Sequence, residues 1–253
     1  MKFKEKGPLV GCRQAVFGLV ALTSATLAQA AQAQELSEDS YFRVGIFAGG
    51  VGMNSVRWSG AGTLNTLPFS AAGHIDTKTG TAFGGLLGYA VNPYLNLELD
   101  GGLVTNRFKD FEGTIAIAGV GTFNGQIPVS GRVQTIAAIF NALITPLGRG
   151  NRVNPYFGGG VGVAHSSAEL EQFSIGPAAF PMGSDSSETD LAADAIIGFG
   201  VDLTPQWGVG IAYQYLWIDT KHLGSGAGLQ ANTGHTTGHV IGLVLEYRFT
   251  NMR

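Results

Sequence analysis

Residues 240–249 read Val240-Ile241-Gly242-Leu243-Val244-Leu245-Glu246-Tyr247-Arg248-Phe249. In an extended chain alternate side chains point to opposite sides, so one face carries Ile241, Leu243, Leu245, Tyr247 and Phe249. The other carries Val240, Gly242, Val244, Glu246 and Arg248. An apolar outer face against a small or polar inner one is the pattern of a strand in a closed transmembrane barrel.

The segment before it repeats the pattern. Residues 207–218 set Trp207, Val209, Ile211, Tyr213, Tyr215 and Trp217 against Gly208, Gly210, Ala212 and Gln214. Amphipathic rings favour the membrane–water interface, so Trp207 and Trp217 read as the two ends of one crossing. Residues 191–203 put Leu191, Ile197, Phe199 and Leu203 outward, with Asp194 and Asp202 inward. Residues 156–165 put Phe157, Val161 and Val163 outward against Tyr156 and a row of glycines. The weakest alternation is 133–144, where Ile136, Phe140 and Ile144 face out if Asn141 faces in. Residues 94–104 show Leu95, Leu97, Leu99 and Leu103 against Asn96, Glu98 and Asp100, while 81–90 show Phe83, Leu87 and Tyr89 against Gly84 and Gly88. Residues 41–51 complete the set, with Phe42, Val44, Ile46 and Ala48 facing away from Tyr41, Arg43 and Gly45. The expectation is an all-β, closed antiparallel transmembrane barrel of eight strands in an up-and-down meander.

The connections fall into two kinds. Three short ones hold proline, which lacks an N–H and suits a turn: Val91-Asn92-Pro93, the stretch from Pro146 to Pro155, and Thr204-Pro205-Gln206. An aromatic follows each, so Tyr94, Tyr156 and Trp207, with Tyr41 and Phe249, are expected to form a periplasmic girdle facing Trp217 at the other interface. The long connections, about 53–80, 105–132, 166–190 and 219–237, are rich in Gly, Ser, Thr and Asn and read as surface loops.

Composition agrees with an apolar surrounding. The chain has 39 glycines and 13% charged residues, about half the usual share, and its mean hydropathy is positive. No segment after the N-terminal one reads as a spanning helix, and only helices and closed barrels satisfy their backbone inside a bilayer. At the N-terminus Lys2, Lys4 and Lys6 precede an uncharged run from Ala15 to Leu27 and small residues at Ala28, Ala30, Ala31 and Ala33. This predicts a cleaved export signal over 1–33, a short segment over 34–40, and the barrel domain over 41–253. Cleavage removes Lys2, Lys4, Lys6, Arg13 and Glu5, leaving a remainder more acidic than the −3 of the whole chain. Without a basic cluster such a chain is unsuited to nucleic acid. Cys12 is the single cysteine and would leave with the signal, excluding disulfides and thiolate chemistry from the barrel.

Eight crossings, the Asn92-Pro93-Tyr94 and Asn154-Pro155-Tyr156 turns, the Gly-x-Gly strand starting at Tyr156 and the terminal Leu243-to-Phe249 segment resemble the small outer-membrane barrel superfamily. That group includes the transmembrane domain of outer membrane protein A, outer membrane protein W and opacity-type surface antigens. The resemblance implies a Gram-negative outer membrane, contact with its lipids and lipopolysaccharide, and insertion by the barrel-assembly machinery. It also implies surface loops that can meet a host or envelope partner. The aromatic end that this machinery reads is followed here by Thr250-Asn251-Met252-Arg253.

Candidate chemistry is sparse. Arg43, Glu98, Asp100, Asp194, Asp202, Glu246 and Arg248 face inward, where a narrow barrel forces charges to meet and pair, with Arg43 and Glu246 expected as neighbours. Such a network reads as a plug, or as a gate that passes small solutes. His165 and Ser167 are a remote catalytic pair, since His165-Ser166-Ser167 resembles weakly the lipid A deacylases, though no acid is placed to orient the imidazole. His222, His235 and His239 read as solvated loop residues, and no metal or other cofactor is expected. Three functions remain: a structural or porin-like barrel, a surface-recognition protein, and a lipid A hydrolase.

Overall fold

The computed structural model describes residues 40–64, 67–148, 151–175, 178–220 and 230–249. The expected signal, Cys12, residues 34–39, His222 and the end from Thr250 to Arg253 lie outside the described residues. Eleven strands are described: β1 (Tyr41–Met53), β2 (Val56–Leu64), β3 (Leu67–Thr77), β4 (Gly80–Ala90), β5 (Leu95–Ile117), β6 (Gly121–Ile144), β7 (Val153–Ile175), β8 (Ala178–Asp202), β9 (Trp207–Ile218), β10 (Gln230–Thr233) and β11 (Thr236–Phe249).

Eight of them close a ring in the order β1-β4-β5-β6-β7-β8-β9-β11, every ladder antiparallel, with β11 returning to β1 through pairs such as Phe42 with Phe249 and Val51 with Val240. All eight expected crossings lie on these strands. A closed ring leaves no unpaired backbone edge in hydrocarbon. The faces divide as the alternation requires: Phe83, Leu103, Phe140, Val161, Leu191, Ile197, Ile211 and Leu243 are exposed on the outside, whereas Glu98, Asn141, Ile139 and Val240 are buried within. The weakly patterned β6 follows the register in which Asn141 faces inward, fully buried.

The turns at one end are set by side chains that replace backbone partners. Asn92 Oδ1 accepts from the N–H groups of Tyr94 and Leu95 at 2.8 and 2.9 Å, and Thr204 Oγ1 accepts from that of Trp207 at 2.9 Å. Gly148, at φ +67°, turns the β6–β7 connection in the left-handed conformation that glycine adopts without strain.

Three of the four long connections are largely paired strand rather than irregular loop, which corrects the sequence reading; of the fourth, residues 221–229 lie outside the described residues. β5 to β8 run straight on past the membrane, with lengths of 23 to 25 residues against the ~10 that a crossing needs. The β2–β3 hairpin pairs with the upper half of β5, and β10 pairs with β2. This extension has its own core of Trp58, Phe69, Ile75, Phe111, Ile115 and Ile127. Its faces are inverted relative to the crossings, because water now bathes the outside: Glu112 and Thr114 are exposed while Phe111 and Ile115 are buried. A bulge between Arg107 and Asp110 shifts the phase of β5 at the changeover, turning odd-numbered residues inward. A search for apolar-outward strands therefore reads this region as loop.

Candidate functional site in the barrel lumen

Arg43 on β1, Glu98 on β5, and Glu246 and Arg248 on β11 meet at the end where the short turns lie. Arg43 Nη1 donates to Glu246 Oε2 at 2.7 Å, and its Nη2 donates to Glu98. Arg248 Nε donates to Glu246 Oε1 at 3.0 Å, and Arg248 Nη2 pairs with Asp202 Oδ1 on β8 at 2.6 Å. Arg43 and Arg248 stand directly opposite each other in the β1–β11 ladder. Glu246, bonded to both, removes the penalty that like charges would carry there. These five residues form one cross-barrel network, with Glu98 only 3% exposed.

Glycine makes this possible. Arg43, Gly88 and Glu98 share one register row across three strands. A Cβ at Gly88 would stand 2.8 Å from the Arg43 side chain, which lies flat over β4 to reach β5. Gly208 serves Arg248 in the same way on its path to Asp202, a Cβ there falling 2.9 Å from Nη2. The neighbours' long side chains fill the space that these glycines leave.

Above this layer Asn141 Nδ2 donates to Asp100 Oδ2 at 2.8 Å, and Gln214 Nε2 donates to Asp194 Oδ2 at 2.5 Å. Asn141 leans over Gly160, which pairs with Asp194. A cavity of about 110 Å³ lies along Tyr41, Arg43, Glu98, Asp100, Tyr156 and Glu246, room for a few waters. Apolar residues pack beside and above these pairs, Ile139, Leu216 and Ile218 on one side and Val51, Ala82 and Val240 on the other, with the buried Thr135–Ser166 and Thr220–Thr236 hydroxyl pairs higher still.

The girdle is partly redistributed. Tyr94, Trp207 and Phe249 are exposed on the outer rim, and Tyr247 joins Trp207 and Phe249 with ring centroids 5.1 Å from each. Phe42 and Tyr89 extend this rim at 4.9 Å. Tyr41 and Tyr156 do not belong to it: they sit on inward positions and line the lumen. Their inward parity is legible in the alternation, Tyr41 beside outward Phe42 and Tyr156 beside outward Phe157. At the other interface Trp217 stacks on His235, 6.4 Å between centroids. His239 is a β11 residue rather than a solvated loop histidine; its Nδ1 lies 2.6 Å from the Tyr213 hydroxyl.

His165 and Ser167 both lie on the outer face of β7. His165 Nδ1 meets Thr189 Oγ1 at 2.8 Å, while Ser167 pairs across the ladder with Ser187. Ser166 turns inward and bonds Thr135 at 2.9 Å. Among the described residues no acid bonds His165.

Comparison with known proteins gives one family match, to the outer membrane protein beta-barrel domain over residues 17–249. No curated protein matches the sequence. Among solved structures, Neisserial surface protein A is 17% identical, with 81% of this chain and 95% of that one covered and a TM-score of 0.41. Outer membrane protein OprG of Pseudomonas aeruginosa is 17% identical, with 82% and 95% covered and a TM-score of 0.40. Ail, the attachment invasion locus protein of Yersinia pestis, solved with the heparin analogue sucrose octasulfate, is 16% identical, with 83% and 99% covered and a TM-score of 0.38.

Proposed function

Because this chain belongs to the outer membrane protein beta-barrel domain family, and so resides in the bacterial outer membrane, we propose that it is a non-enzymatic barrel. In this reading the lumen is plugged and the extracellular sheet is the working surface. The observation that carries it is the double filling of the interior: a layer of paired charges at one end and packed aliphatic side chains above it. An ion entering would have to shed its water to pass Ile139, Leu216 and Val240, which pack between the paired carboxylates of Asp100 and Asp194. Small-solute permeation is then minor, and recognition of a surface partner is the main role.

The extension supports this second element. Its paired strands and its core of Trp58, Phe69 and Phe111 hold one shape, which suits a binding platform better than mobile loops do. Residues 1–33 serve as the export signal in this reading, and 41–253 as the barrel. Single-channel recording of the full barrel in a planar bilayer tests the proposal. The expected trace shows no discrete openings; steady porin-sized conductance overturns the plug. Mass analysis of lipid A incubated with the protein is expected to show no loss of acyl chains, and a loss abolished by His165→Ala would restore the hydrolase.

A further inference from the structure

On the outer face the apolar residues stop at one level: Leu103 on β5, Ile136 on β6 and Val163 on β7. The next outward positions are Thr105, Gln134 and His165. One outward step higher, roughly 7 Å along the strand, stand Arg107 and Arg132. Their inward neighbours Asn106 and Val133 are 1% and 5% exposed, which fixes both arginines on the outside at the height where hydrocarbon gives way to headgroups.

Arg107 and Arg132 are direct partners in the β5–β6 ladder. Like charges placed opposite each other destabilise a sheet unless something anionic lies between them. Glu169 on β7 answers Arg132 at 2.9 Å, and Asp110 answers Lys109 at 3.2 Å. No ion pair among the described residues reaches Arg107 or Lys78, whose backbone N–H donates to the Arg107 carbonyl at 2.8 Å. Four cations thus share one patch with three acids, Glu169, the half-buried Asp110 and Asp76 of β3 beside the bulge, on an otherwise acidic protein. The patch is built into paired strands at the bulge between Arg107 and Asp110.

We propose that Arg107 and Arg132, flanked by Lys78 and Lys109, clamp the phosphate group of an outer-leaflet lipid. Guanidinium forks match phosphate oxygens bidentately, and a phosphate between the two forks converts their repulsion into shared attraction. The ligand arrives from the bilayer, since the patch sits at headgroup height on the lipid-facing wall. The short turns with Pro93 and Pro205 mark the periplasmic end, so this opposite rim meets the outer leaflet.

The test titrates fluorescent lipid A bearing both phosphates into the folded full chain in micelles, beside lipid A stripped of phosphate. The double variant Arg107→Gln/Arg132→Gln should bind the phosphorylated lipid about tenfold more weakly, as expected for lost charge-assisted bonds. Wild type should bind the stripped lipid no better than the variant binds the intact one. Glu169→Gln frees Arg132 and should tighten binding. Equal affinities for wild type and double variant, or a weakening by Glu169→Gln, overturn the clamp. Competition by inorganic phosphate at concentrations equal to the lipid's overturns the lipid as its occupant. Both arginines are exposed, so the variants should keep the heat-dependent gel mobility of a folded barrel; Arg107→Lys/Arg132→Lys, retaining charge without forks, should fall between.

Discussion

At the scale of single residues the lumen is ordered by what glycine leaves out. Arg43 reaches Glu98 because Gly88 has no side chain, and Asn141 lies over Gly160 for the same reason. Gly160→Ala would set a Cβ 2.1 Å from Asn141 Oδ1 and 2.2 Å from a backbone oxygen of β6. We expect it to destabilise by about 1–3 kcal/mol, as overpacking does, whereas Gly101→Ala, facing open space outward, should be neutral. Urea unfolding in lipid vesicles separates them; equal effects would contradict the packing. The ion pairs give a second test. Arg43→Met strands Glu98 and leaves Glu246 with Arg248 alone, and should cost about 3–5 kcal/mol, while Glu246→Gln costs less because Arg43 keeps Glu98 and Arg248 keeps Asp202. The double variant should cost less than the sum of the two, and strict additivity would show that the residues are uncoupled.

At the scale of elements, the crossings were legible and the extension was not, for one physical reason. Leu243, 68% exposed, and Val244, lining the cavity, differ by one position and by the medium each meets. Leu243→Arg should impair insertion by about 2–4 kcal/mol while Val244→Thr is nearly neutral; equal losses in a refolding assay would reverse the faces. That contrast of media is what alternation reports. On β5 it reads correctly to Leu103, then inverts at the bulge as lipid gives way to water, so the same pattern read onward takes Phe111, Ile115 and Ile117 for loop. The inward charges were likewise visible by parity. Which acid each arginine takes was not, because Arg43 spans an intervening strand to reach Glu98, and that depends on register.

At the scale of the molecule, the ring and the extension make separable demands. The β2–β3 hairpin pairs with β10 and the top of β5 but contributes no ladder to the ring. Replacing residues 55–78 with a short turn should leave heat-dependent gel mobility intact while uncovering Phe111 and Ile115 and making the upper β5–β6 segment sensitive to protease. Loss of the folded gel band would show that the ring depends on the hairpin. The seam between β1 and β11 carries a last consequence. Arg43 and Glu246 touch although 203 residues separate them along the chain, while β4 to β9 pair with near neighbours in sequence order. Closing a loop of that length is the slow, entropically taxed event in assembly, so the hairpins zip first and the circle shuts last. Once shut, the ladder holds no memory of where the chain was cut. Joining the β1 and β11 ends by a short linker and opening the chain at Gly119 should yield the same ring by a different order of closure, with a changed folding rate and an unchanged fold.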